Sequence, residues 1–104
     1  MQLLTIKLYS LTHASHFYQQ GTNLYFIFIG QFDSWDEYKA FHSGIIDKIN
    51  EFGGSLSHYH GVGKMIGPWM ASHLGPEQMG VLKAIKKHFD PNNIMNPGGT
   101  MGID

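Results

Sequence analysis

With 104 residues and a mass of 11.7 kDa, the chain has room for one small domain or a piece of a larger protein, and a multi-domain enzyme is excluded within these boundaries. Charged residues make up only 14% against 42% hydrophobic, where an ordinary soluble domain carries roughly 25% charged, so part of the surface is expected to be covered by something else. Seven lysines, no arginine and eight acidic residues leave a net charge of -1, which removes the electrostatic footprint of a nucleic-acid binder, and the absence of cysteine excludes disulfides, thiolate metal sites and a cysteine nucleophile.

No apolar run reaches the roughly 18 residues of a membrane span, and the start has no signal-peptide pattern, so a cytoplasmic location is expected. The first predicted element is a half-buried strand from Leu3 to Tyr9, in which Leu4, Ile6 and Leu8 alternate with Thr5, Lys7 and Tyr9, running on to about His13. Gln19-Gln20-Gly21-Thr22-Asn23 has the composition of a hairpin loop. A second strand over 23–32 is apolar on both faces, with Leu24, Phe26 and Phe28 against Tyr25, Ile27 and Ile29, and should be central or covered by a partner. Ser34 and Glu37 form a capping box, and Trp35, Tyr38, Phe41, Ile45, Ile49 and Phe52 form the apolar stripe of a helix that Gly53 ends.

Residues 55–59 have the pattern of a short strand, 61–64 that of a loop, and 66–74 that of a short helix closed by Gly75. Pro76 opens a last helix carrying Met79, Leu82, Ile85 and Phe89, with lysines in its C-terminal half, ended by Asp90-Pro91. Residues 92–99 are turn formers around Ile94 and Met95 and are expected to lie extended along another surface, inside or outside this chain. The order β-β-α-β-α-α is an α+β pattern resembling part of a ferredoxin-like fold, an antiparallel sheet with helices packed on one face.

The densest functional vocabulary is Ser57-His58-Tyr59-His60-Gly61-Val62-Gly63-Lys64. On a strand, His58 and His60 would share one face, which suits acid/base work or a metal; the alternative is one imidazole in solvent and one on a backbone carbonyl. A closed metal site lacks further ligands with a matching signature, so none is assigned. The glycines before Lys64 suit either a nest for an anion or a tight loop that needs glycine dihedrals, and the phosphate-loop spacing is missing. Tyr25 reads either as core packing or as a phenolic acid or base.

Taken together, residues 53–64, the Asp90-Pro91-Asn92-Asn93-Ile94 run, and Ser15-His16-Phe17-Tyr18 before Asn23-Leu24-Tyr25-Phe26 closely resemble the C-terminal part of FAD-linked oxidases of the vanillyl-alcohol-oxidase superfamily, most of all its alkyldihydroxyacetonephosphate synthase branch. The resemblance covers about residues 12–98. It implies a two-domain flavoenzyme whose cap closes over the flavin ring, with residues 1–104 as a single fragment: the end of the cap and the C-terminal segment, the FAD-binding domain lying elsewhere.

It also implies catalytic roles for Tyr25, His58, Tyr59 and His60, contact with FAD through His60 and Asn96, and contact with substrate through His16 and Lys64. The implied reaction exchanges the acyl group of acyl-dihydroxyacetone phosphate for a long-chain alcohol, with FAD as an electron sink and no net redox. Tyr59 stands where that branch has its middle histidine and where the 2-hydroxy-acid dehydrogenase branch has a glutamate, so the chain departs from both. Expected partners are a small-molecule substrate, the parent's own FAD-binding domain and, for a lipid substrate, a peripheral membrane contact of the parent. The alternative functions are a lactate- or glycolate-type dehydrogenase fragment and a free-standing dimeric binding module with a small ligand or metal at His58 and His60.

Overall fold

A computed structural model describes residues 8–103, so residues 3–7 of the first expected strand lie outside the described part. Within that range the fold is α+β: two antiparallel strands followed by helices. The chain forms two compact units, Met1–Phe41 and His42–Asp104.

The first unit is built on a hairpin. Strand β1 covers Leu8–Tyr18 and β2 covers Gly21–Gly30. The turn is tighter than the five-residue loop expected: Tyr18 pairs with Gly21, leaving only Gln19 and Gln20 between the strands. Ser15 pairs with Asn23 but Phe17 with Thr22, so His16 is an extra residue, a β-bulge with φ of 53°. Thr22 Oγ1 donates to the Ser15 carbonyl at 3.0 Å and clamps the bulge.

Side chains alternate between the two faces. One face carries Ser10, Thr12, Phe26 and Phe28. Phe28 meets Phe41 edge-on at 5.4 Å, and Phe32 lies 5.4 Å from both Phe41 and Tyr38, so this face docks on the first turns of helix α1, Trp35–Glu51. The other face carries Tyr9, Leu11, His13, Tyr25, Ile27 and Ile29, and its aliphatic members remain exposed, Leu11 at 60% and Ile29 at 59%.

Helix α1 starts where the capping box places it. Glu37 N–H donates to Ser34 Oγ at 3.1 Å, and the Glu37 carboxylate accepts from Asp33 N–H at 2.7 Å, one residue earlier than the usual reciprocal partner. It ends at Gly53, with Gly54 N–H bonded to the Ile49 carbonyl at 2.9 Å. Of the expected stripe Ile49 packs inward, but Ile46 is the buried residue and Phe52 is 82% exposed.

The core of the second unit is Ile46, Leu56, Met70, Met79 and Ile103. The expected strand at 55–59 is absent from it. Ser55 Oγ donates to the Ser57 carbonyl at 2.9 Å and Ser57 Oγ to the Gly61 carbonyl at 2.7 Å, so serine hydroxyls take carbonyls a ladder would have used and curl the segment into turns. Helix α2, Gly63–Ile66, and a 3₁₀ turn, Gly67–Trp69, lead into α3, Met70–Phe89. The expected break falls inside α3: Gly75 has φ 81° and ψ 168°, outside helical space, directly before Pro76. Polar bonds lace α1 to the start of α3: Trp69 Nε1 donates to Asp47 Oδ1 at 2.5 Å, Asn50 Nδ2 donates to Ser72 Oγ at 3.1 Å, and His73 Nδ1 lies 3.1 Å from Asn50 Oδ1.

The segment after α3 was expected to lie extended along another surface; it turns back onto its own unit, which supplies that surface. Asp90 caps α3, and its carboxylate accepts from the N–H groups of Ile94 at 2.8 Å and Met95 at 2.9 Å. Lys86 Nζ donates both to Asp90 Oδ2 and to the Met95 carbonyl. Farther on, Gly102 passes so close to the 3₁₀ turn that a Cβ on it would sit 2.5 Å from the Gly67 carbonyl oxygen. That approach delivers Ile103 to the core as its most buried side chain, 2% exposed, a burial worth about 2 kcal/mol.

Candidate active site

The expected site residues fall in two groups, one in each unit. In the first, His13 stands directly opposite Tyr25 in the ladder, and the two rings stack at 4.5 Å with planes 6° apart. The bulge brings His16 toward the same phenol, with ring centres 6.4 Å apart, and a 2.9 Å hydrogen bond joins Ser15 Oγ to His16 Nδ1. A phenol between two imidazoles can exchange a proton with a bound molecule and orient it. Tyr25 is half-buried, so its ring is supported while its face of the sheet remains accessible.

In the second unit, His58, Tyr59 and His60 are brought together, but not as alternate residues of a strand. Tyr59 takes φ of 49° at the crest of the turn. His58 meets Tyr59 edge-on at 4.7 Å and His60 stacks on Tyr59 at 4.6 Å, forming three consecutive touching rings. Tyr59 is 65% exposed, so this aromatic surface with polar edges faces outward. Lys64 sits on α2 and is also exposed. Asn96 lies apart, in a left-handed turn of the C-terminal segment, its side chain against the Gly99 backbone. It lines a cleft of about 350 Å³ with Leu82, Ile85, Phe89 and Met95.

Sequence reasoning missed His13. Its signal was the hairpin pairing itself, since the residue opposite Tyr25 follows once the two-residue turn and the bulge are known. Among the described residues no three His, Asp or Glu side chains are grouped to hold a metal, and no helix is long and apolar enough to cross a membrane.

These observations meet the comparisons with known proteins. Residues 2–100 match the family of FAD linked oxidases, C-terminal domain, and the chain belongs to that family. It is similar to the uncharacterized FAD-linked oxidoreductase YgcU of Escherichia coli, 37% identical over 88% of this chain and 20% of that protein. It is also similar to the alkyldihydroxyacetonephosphate synthase of Dictyostelium discoideum, 40% identical over 82% of this chain and 14% of the relative. A third relative is the D-lactate dehydrogenase of Anaerostipes hadrus, 43% identical over 57% of this chain and 12% of its own length. The chain thus spans a fifth or less of the length of these curated relatives. No solved structure matches it.

The family uses FAD, and the residues present fit one end of it. Imidazole and phenol edges at 58–60 are hydrogen-bonding groups of the kind a flavin ring takes. The pyrophosphate end does not fit: the chain has no arginine, and the glycines before Lys64 lead into a helix of only four residues.

Proposed function

We propose that this chain is the substrate-facing C-terminal portion of an FAD-dependent enzyme of the alkyldihydroxyacetonephosphate synthase type, with Tyr25, His58, Tyr59 and His60 as its acid/base and binding groups. The observation that carries the reading is the phenol of Tyr25 stacked on one imidazole and flanked by a second, a proton-handling cluster with no core to stabilise. Relatives named as alkyldihydroxyacetonephosphate synthases match across the candidate residues, beside an FAD-linked oxidoreductase that matches over 88% of the chain. A match over 82% of a 104-residue chain must run through both Tyr25 and residues 58–60, whereas one over 57% need not reach Tyr25.

FAD supplies an electron sink for the substrate carbon. This chain's residues do the rest: on the hairpin Tyr25 moves a proton at its phenolic oxygen and His16 binds substrate, and on the second unit Lys64 binds substrate while His60 and Asn96 face the cofactor. The pyrophosphate is held by the FAD-binding domain of the same polypeptide. The parent works in the cytoplasm or against a membrane that delivers a lipid substrate.

The test uses the FAD-loaded full-length polypeptide and two assays: exchange of a long-chain alcohol into acyl-dihydroxyacetone phosphate, and reduction of an artificial dye by D-lactate or glycolate. Exchange is expected, with Tyr25→Phe slowing it by about 100-fold, the typical share of an acid/base group. Dye reduction without exchange would place the enzyme on the 2-hydroxy-acid dehydrogenase branch instead.

A further inference from the structure

We infer that His13 is a positioning residue for Tyr25, acting through the parallel contact between the two rings; this rests on the reading of Tyr25 given above. His13 belongs to none of the motifs that mark the site. The ladder nevertheless sets it directly opposite Tyr25, and the rings lie 4.5 Å apart at 6°. Cross-strand neighbours of this kind are close enough to fix each other's rotamers.

Leu11, Ile27 and His16 offer Tyr25 no such parallel ring. Leu11 and Ile27 are aliphatic and lie along the same face, exposed to 60% and 49%. His16 is tilted at 46° and farther away, held to Ser15 by its own hydrogen bond. His13 is a flat surface against which the phenol ring rests. An exposed imidazole on this face buries no core, so the position is not needed to hold the hairpin together. Its contribution is orientation: a ring swung by about 1 Å at its tip can slow a reaction by up to about 100-fold.

The experiment compares His13→Ala, His13→Phe and Tyr25→Phe in the FAD-loaded full-length polypeptide carrying ring-labelled tyrosine. The two readouts are the Tyr25 ring resonances, assigned by their loss in Tyr25→Phe, and turnover in the exchange assay or, should the parent prove a dehydrogenase, in dye reduction. His13→Ala is expected to shift the Tyr25 resonances and lower kcat about 10-fold with KM little changed, and His13→Phe, which keeps a flat ring, to restore both. Tyr25 resonances that ignore His13→Ala would overturn the contact. An unchanged kcat in His13→Ala, or a His13→Phe variant as slow as His13→Ala, would overturn the positioning role while a slow Tyr25→Phe left the site reading standing. A fully active Tyr25→Phe would overturn both.

Discussion

Asp90 gathers more bonds than any other carboxylate described in the chain, and its chemistry follows from them. The Lys86 ammonium first and the Ile94 N–H second hold its carboxyl below the usual 3.8; burial opposes them, and the Met95 N–H adds a smaller lowering. A carboxylate depressed in the folded state contributes stability above its unfolded pKa and loses it as the pH falls through the folded value. Asp90→Asn should therefore lower the melting temperature at pH 7, and the gap to the parent should begin to close below about pH 4. A gap that stayed constant down to pH 2 would mean the carboxylate's charge is not what counts. Tyr59 offers a second test at this scale. Tyr59→His, which places a third imidazole on the turn, should raise the exchange rate of the full-length enzyme by about 10-fold, the low end for an acid/base group. No change would mark the residue as a spacer between His58 and His60. How far each residue could be read from sequence depended on range. Ser34 and Glu37 act three residues apart and were legible, whereas His13 meets Tyr25 only through a pairing that a bulge shifts by one.

Elements divide the same way. Helix α1 was readable because cap, stripe and stop are local; residues 55–59 were misread because their alternation suits a strand while their serines satisfy carbonyls within the segment. In α3, Gly75 carries a positive φ that a Cβ opposes, although nothing lies within 4 Å of that Cβ. Gly75→Ala should accordingly cost about 1 kcal/mol or slightly more from backbone strain alone, measured by denaturant midpoint. The same substitution at Gly80, which has helical dihedrals and open space, should be neutral or stabilising by a few tenths of a kcal/mol. Equal losses at both would argue against strain as the cause.

For the whole molecule, low charge content becomes a statement about place. Uncovered aliphatic side chains line one face of the hairpin and also occur in the second unit at Val81, Ile85, Ile94 and Met95, outside the core that unit closes around Ile46, Leu56, Met70, Met79 and Ile103. Amide hydrogen exchange should report that division, with amides near Met70 and Met79 among the slowest and those of the hairpin exchanging well before them. Uniform protection would show the hairpin to be as firmly held as the core. The composition announced an uncovered surface, and the doubly apolar second strand located it. The destination of the C-terminal segment was not legible, because Met101 and Ile103 are isolated apolar residues among turn formers, too few to show a periodicity that betrays burial.

The contact between Gly102 and Gly67 has a practical side. Residues 97–102 are mostly glycine and other small turn formers, which by composition look dispensable. Here they are the tether that sets a hydrophobic plug, so deleting residues from the tether, or crowding Gly102 with a side chain, draws Ile103 out of the second unit's core.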